Sequence, residues 1–159
     1  MISFTYKGES IAILVVDDHP VVLNGLQQLL EKVPDFEVVG AACSCHELCT
    51  MAAHLNPDVV VMDLEMDDSK GTEAVARLRK QEYDGHIVVY SAHDERELVL
   101  KLLNFNVRGY VTKASSREYV GKAIHAVVDG GFYLDPTIAP IVMGSSPERN
   151  EPAEKPEAD

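Results

Sequence analysis

Apolar residues fall into five short runs, separated by longer stretches in which they recur every third or fourth position. The runs cover Ile11–Val16, Phe36–Ala42, Val59–Met62, 87–90 and 107–112. Each is short and reads as a strand, and Ile11–Val16, rich in Val and Ile, has the pattern of a strand buried on both faces of a parallel sheet. The stretches between them read as amphipathic helices. After Pro20, which suits a first helical turn, Val22, Leu26, Leu29, Leu30 and Val33 form one stripe that ends at Pro34-Asp35. From about residue 44, Leu48, Met51, Ala52 and Leu55 share a face. Asn56-Pro57 stops that helix, because the residue before a proline is pushed out of the helical region.

A third helix turns Ala74, Val75 and Leu78 inward and Arg77, Arg79 and Lys80 outward. A fourth, over 95–104, pairs Leu98 and Val99 with Leu102 and Leu103. A fifth, over about 116–129, carries Val120, Ala123, Ile124, Val127 and Val128, and Gly130-Gly131 ends it. Strand and helix thus alternate five times, and right-handed crossovers place the helices on both faces of a doubly wound, five-stranded parallel sheet in an α/β domain spanning 11–135. Residues 1–10 show no period and form an N-terminal extension. From Pro136 the pattern decays, so 136–159 reads as an acidic, Pro- and Glu-rich linker or tail, and from Ser145 onward it has too little apolar surface to order itself.

A length of 159 residues, 46% of them hydrophobic, suits one such domain with a real core. The formal net charge of −12 argues against these residues gripping nucleic acid. Part of that charge is local to the tail, where Glu148, Glu151, Glu154, Glu157 and Asp159 face only Arg149 and Lys155. The remaining acids are numerous enough that a divalent cation becomes a natural partner for any that crowd together. No window approaches ~20 consecutive apolar residues, so no membrane partner is expected. The first residues lack the features of a signal peptide, which predicts a cytoplasmic location. Cys43, Cys45 and Cys49 form C-x-C-H-x-x-C with His46, but a structural zinc site ordinarily uses two separated ligand pairs. They read as small hydrophobes instead, with Cys49 in the core.

The candidate chemistry lies where the runs end. The first ends in Asp17-Asp18, the third in Asp63, the fourth in Ser91 and the fifth in Lys113. In a parallel sheet these positions meet at one edge, where open α/β folds hold their sites. Taken singly, an aspartate before a helix caps it and a lysine sits on the surface. Two adjacent acids near a third on a neighbouring strand are better explained by Mg²⁺. A carboxylate that attacks a phosphoryl group forms an acyl phosphate, and the transferring oxygens need a metal and a cation to neutralise them. Asp63 is then the candidate nucleophile, Lys113 the cation and Ser91 a hydrogen-bond donor.

The ordered set Asp17-Asp18-His19-Pro20, Asp63-Leu64-Glu65-Met66, Ser91-Ala92 and Gly109-Tyr110-Val111-Thr112-Lys113 resembles the receiver domain of bacterial two-component response regulators. Gly25-Leu26 and the closing Gly131-Phe132-Tyr133-Leu134-Asp135-Pro136 look like the NarL-type group, whose members usually carry a LuxR-like helix-turn-helix. The resemblance implies a flavodoxin-like strand order 2-1-3-4-5. It implies phosphorylation of Asp63 by a histidine kinase, with Mg²⁺ held by Asp18, Asp63 and the Glu65 backbone carbonyl, and by Asp17 through water. Ser91 and Lys113 would bind phosphoryl oxygens, Tyr110 would act with Ser91 as the switch, and Glu65 and His93 would tune phosphoryl lifetime. Catalysis would be limited to the chain's own phosphorylation and dephosphorylation. Output would be dimerisation or control of a DNA-binding effector domain absent from this chain, hence transcription regulation.

One departure from the family pattern stands out: Asp67 occupies the place of the usual proline, with Asp68 beside it and Lys70 where an acid is common. This predicts an intact site with an altered loop. Two other readings are a pseudo-receiver that binds partners without phosphate, and an aspartate-nucleophile phosphatase of haloacid dehalogenase type. The latter would show Asp-x-Asp, and here Glu65 stands in the second place. A nucleotide-binding domain is disfavoured because no glycine-rich loop follows the first strand.

Overall fold

The computed structural model describes residues 10–144; residues 1–9 of the expected extension and 145–159 of the expected tail lie outside it. Six parallel strands form one sheet: β1 (Ile11–Val16), β2 (Phe36–Ala42), β3 (Val59–Met62), β4 (His86–Ser91), β5 (Gly109–Thr112) and β6 (Tyr133–Leu134). Their order is β2-β1-β3-β4-β5-β6, so the five expected strands stand in the expected arrangement and β6 adds an edge. The helices are α1 (Pro20–Glu31), α2 (Cys45–Leu55), α3 (Glu73–Lys80), α4 (Arg96–Leu103), α5 (Glu118–Val128) and a short α6 (Ala139–Met143). Among the described residues, no helix is long and apolar enough to cross a membrane.

Successive strand residues point to opposite faces, and this alternation divides the core in two. Ile13, Val15, Val61, Val88 and Val111 pack with Leu26 and Leu30 of α1 and with Val120, Ala123, Ile124 and Val127 of α5. On the other face, Leu14, Val16, Val60, Met62 and Val89 meet Leu48 of α2, Leu78 of α3 and Leu102 of α4. Both faces of the central strands are covered, which is why their sequences are continuously apolar rather than alternating.

Four details sharpen or correct the sequence reading. Asn56 does leave the right-handed helical region before Pro57, but into the left-handed one (φ 45°, ψ 58°), which asparagine tolerates; its amide still closes the helix on Ala52 O. Arg79 does not face solvent. Its guanidinium is half-buried and donates to the carbonyls of Phe105, Tyr83, Gly85 and Asn106, tying α3 to two loops. Cys45 is fully buried and accepts from Arg77 Nη1 at 3.2 Å, so it sits deeper than the expected Cys49. Cys49 is itself buried, which pushes its thiol pKa up to about 11.

The fourth detail lies at the end of the sheet. The fold continues past residue 135 because Asp135 and Ile138 hold the next segment. Asp135 is fully buried; one oxygen accepts from Thr112 N at the end of β5, the other from Thr137 N, Thr137 Oγ1 and Ile138 N. Ile138 is completely buried in the core beside α4, a contribution of about 1.5–3 kcal/mol for a side chain of its size. The apolar pattern fades here because one buried isoleucine and one buried aspartate, not a stripe, hold the segment.

Asp135→Ala removes an acceptor from buried amides on both sides. We expect a loss of about 2–4 kcal/mol in urea unfolding. A loss below about 1 kcal/mol would mean that the bonds made by Asp135 do not anchor this segment.

Candidate functional site

β1, β3, β4 and β5 lie side by side, so the residues that follow them share one edge. Val16 is level with Met62, and Met62 with Val89, which brings Asp17 beside Asp63. Ser91 is level with Thr112, so Lys113 follows directly. Backbone bonds carry the register past the strand ends: Asp63 N donates to Val16 O at 3.2 Å and Lys113 N to Ser91 O at 2.7 Å.

Lys113 Nζ donates to Asp17 Oδ2 at 2.7 Å and to Asp63 Oδ2 at 2.9 Å. Both acids are buried, only 1% and 4% exposed, and their mutual repulsion is offset by the ammonium between them. Burial alone would lower the Lys113 pKa, but the hydrogen bonds and charges of Asp17 and Asp63 outweigh it and hold the ammonium above its ordinary value. The other Asp63 oxygen accepts from Leu64 N at 2.7 Å and from Glu65 N at 3.3 Å, which fixes the carboxylate's orientation.

Asp18 is bound on one side only. Its Oδ2 accepts from Asp67 N at 3.0 Å, while its Oδ1 is buried without a hydrogen bond. His19 Nδ1 lies 3.1 Å from that Oδ1 but bonds instead to Asp17 Oδ1 at 3.0 Å. Ligand atoms of Asp17, Asp18, His19 and Asp63 all lie within 4.8 Å of one another. A buried carboxylate oxygen without a donor is costly, and hard oxygen ligands crowded in this way fit a small divalent cation. In the sequence His19 stands only as part of the Asp17-Asp18-His19-Pro20 motif, where its neighbouring aspartates are the available signal. The bond to Asp17, then the charges of Asp17 and Asp18, raise its pKa.

Ser91 and Tyr110 are both buried and meet through His93. Ser91 Oγ accepts from His93 N at 3.2 Å, and Tyr110 Oη donates to His93 O at 2.8 Å. Burial pushes the Tyr110 phenol pKa well up, against a smaller opposing contribution from Ser91. The His93 ring stands 3.4 Å from Glu65 and 3.5 Å from Glu95, and Lys70 lies 3.9 Å from Glu65. A cavity of about 310 Å³ opens here, lined by His19, Val22, Asp63, Glu65, Ala92, His93 and Lys113. A larger one, about 590 Å³, lies beside Arg79, but the guanidinium there is engaged by backbone carbonyls. All the residues proposed from the sequence are therefore gathered in two linked clusters: the acids with Lys113, and Ser91 and Tyr110 with His93 and Glu65.

Residues 13–125 match the family described as the response regulator receiver domain. The nitrate/nitrite response regulator protein NarL of Escherichia coli K12 is 34% identical over 137 residues, 86% of this chain and 63% of NarL. Response regulator GacA of Pseudomonas aeruginosa is 37% identical over 130 residues, 81% of this chain and 60% of GacA. The chain thus spans less than two thirds of the length of these relatives. The crystal structure of a LuxR-family two-component response regulator from Aurantimonas sp. SI85-9A1 superposes with a TM-score of 0.79 at 32% identity, covering 84% of this chain and 96% of that one. On sequence and fold together, the chain belongs to the response regulator receiver domains, among homologues of the NarL and LuxR type.

Proposed function

We propose that this chain is the phosphoacceptor switch of a two-component system, taking a phosphoryl group on Asp63 from a histidine kinase. The observation that carries this reading is the Asp63 carboxylate itself: buried, oriented by Lys113 and two backbone amides, yet lining a cavity with Ala92 and Glu65. A carboxylate oxygen of Asp63 attacks phosphorus, the bond to the donor breaks with its electron pair leaving on the donor, and an acyl phosphate forms. Ala92 is small and exposed, so the approach stays open.

Asp18, Asp63 and the Glu65 backbone carbonyl would hold Mg²⁺, with Asp17 acting through water, and Asp18 Oδ1, buried without a hydrogen bond, supports this fit. Bound there, the cation would neutralise oxygens of the transferring group. Lys113 already stands 2.9 Å from Asp63, so a small shift pairs its ammonium with a phosphoryl oxygen. Ser91 would donate its hydroxyl to another. That movement breaks the Ser91–His93 bond and loosens Tyr110 from the His93 carbonyl, biasing a pre-existing equilibrium at the start of α4. Glu65 and His93, paired at 3.4 Å on the cavity wall, would set how readily water reaches the acyl phosphate. The output would be dimerisation or control of a DNA-binding effector domain.

Incubated with acetyl phosphate and Mg²⁺, the wild type is expected to gain one phosphoryl mass and Asp63→Asn none. Equal labelling of both would remove Asp63 from its role, and no labelling of either would favour the pseudo-receiver reading. Lys113→Ala is expected to slow phosphorylation by about a hundredfold, the scale of losing one charge-stabilising donor, measured as the rate of mass gain. An unchanged rate would show that Lys113 only balances charge in the resting state.

A further inference from the structure

Asp67 and Asp68 are the two residues at the tip of a tight turn. Met66 N donates to Ser69 O at 3.0 Å and Ser69 N to Met66 O at 3.2 Å, and both of these residues are buried while the tip is exposed. Each tip residue has an anchor far away in sequence. The Asp67 amide donates to Asp18 Oδ2, and the Asp68 carboxylate accepts from Cys45 N at 2.8 Å and His46 N at 3.1 Å at the start of α2.

At the start of α2, Ser44 is the N-cap and accepts from Glu47 N at 3.1 Å, and Glu47 Oε1 accepts from Cys43 N at 2.9 Å. Asp68 takes the two first-turn amides that Ser44 does not reach. The Asp68 bridge thus completes the capping of this helix end, and it also fixes the turn against an element that packs on the sheet. Two amides at the positive end of a helix favour a carboxylate, and the Asp68 pKa is lowered chiefly by the Cys45 and His46 bonds. The Asp67 amide also matters: a proline at this position would have no N–H to offer Asp18.

We propose that Asp68 is a positioning residue for the cation site: by anchoring the 66–69 turn to α2, it holds the Asp67 amide on Asp18 Oδ2 and leaves Asp18 Oδ1 turned to the cation. The inference rests on the reading of Asp18 as a metal ligand. Asp68 never touches the metal. It acts through the turn and the Asp67 amide.

The test is a Mg²⁺ titration followed by ¹H–¹⁵N NMR on the wild type, Asp68→Ala, Asp68→Asn and Ser44→Ala. Asp68→Ala is expected to weaken Mg²⁺ binding by about tenfold, the lower end of what losing support behind a ligand costs. Asp68→Asn keeps one acceptor oxygen and is expected to recover part of that loss. Ser44→Ala removes the N-cap bond to Glu47 N and leaves the Asp68 bridge in place, so it is expected to lower stability and leave Mg²⁺ affinity unchanged. Wild-type affinity in Asp68→Ala, or an equal loss in Ser44→Ala, would overturn the positioning role. A wild type that binds no Mg²⁺ would instead overturn the functional reading beneath it, and this inference with it.

Discussion

Two aspartates buried side by side at the end of a sheet are stable only because Lys113 lies between them. At the separations seen here, like charges in a surface-like medium repel by about 4 kcal/mol, a large fraction of the stability of a domain this size. The ammonium, 2.7 and 2.9 Å from the two carboxylates, offsets that repulsion. Its position follows from the parallel register of β4 and β5, which sets Lys113 one residue beyond the Ser91–Thr112 pair. The site therefore depends on sheet order as much as on residue identity. Strands paired in another sequence would separate Asp17 and Asp63 from the cation that neutralises them.

Most of this was legible in the sequence for a physical reason. Strands buried on both faces write themselves as unbroken apolar runs, and the residue at which each run stops is the residue that reaches the edge. Asp63 and Lys113 could be read in that way. What remained hidden needs contacts between residues distant in sequence. β6 is two residues long, too short to show a period, and the buried Asp135 carries no pattern at all. Arg79 reads as a surface residue on its helix, and only the carbonyls of two loops draw its guanidinium inward. The bridge from Asp68 to α2 joins positions more than twenty residues apart, and nothing near Asp68 announces it.

The same structure connects the acid cluster to the far side of the sheet. His93 is bonded through its backbone to both Ser91 and Tyr110, and its ring stands between Glu65 and Glu95, the residue that precedes α4. α4 in turn packs against the segment after Asp135, where Arg96 Nε donates to Val142 O at 3.4 Å. Contacts thus run from Ser91 through His93 and Glu95 to α4 and the segment after Asp135.

The most direct test is chemical mapping of the phosphorylated residue. Borohydride reduces an aspartyl phosphate to homoserine, and tandem mass spectrometry of the digested protein then reports where homoserine stands. The account predicts homoserine at position 63 alone, dependent on Mg²⁺ during labelling. Homoserine at position 17 or 18, or labelling indifferent to Mg²⁺, would contradict it.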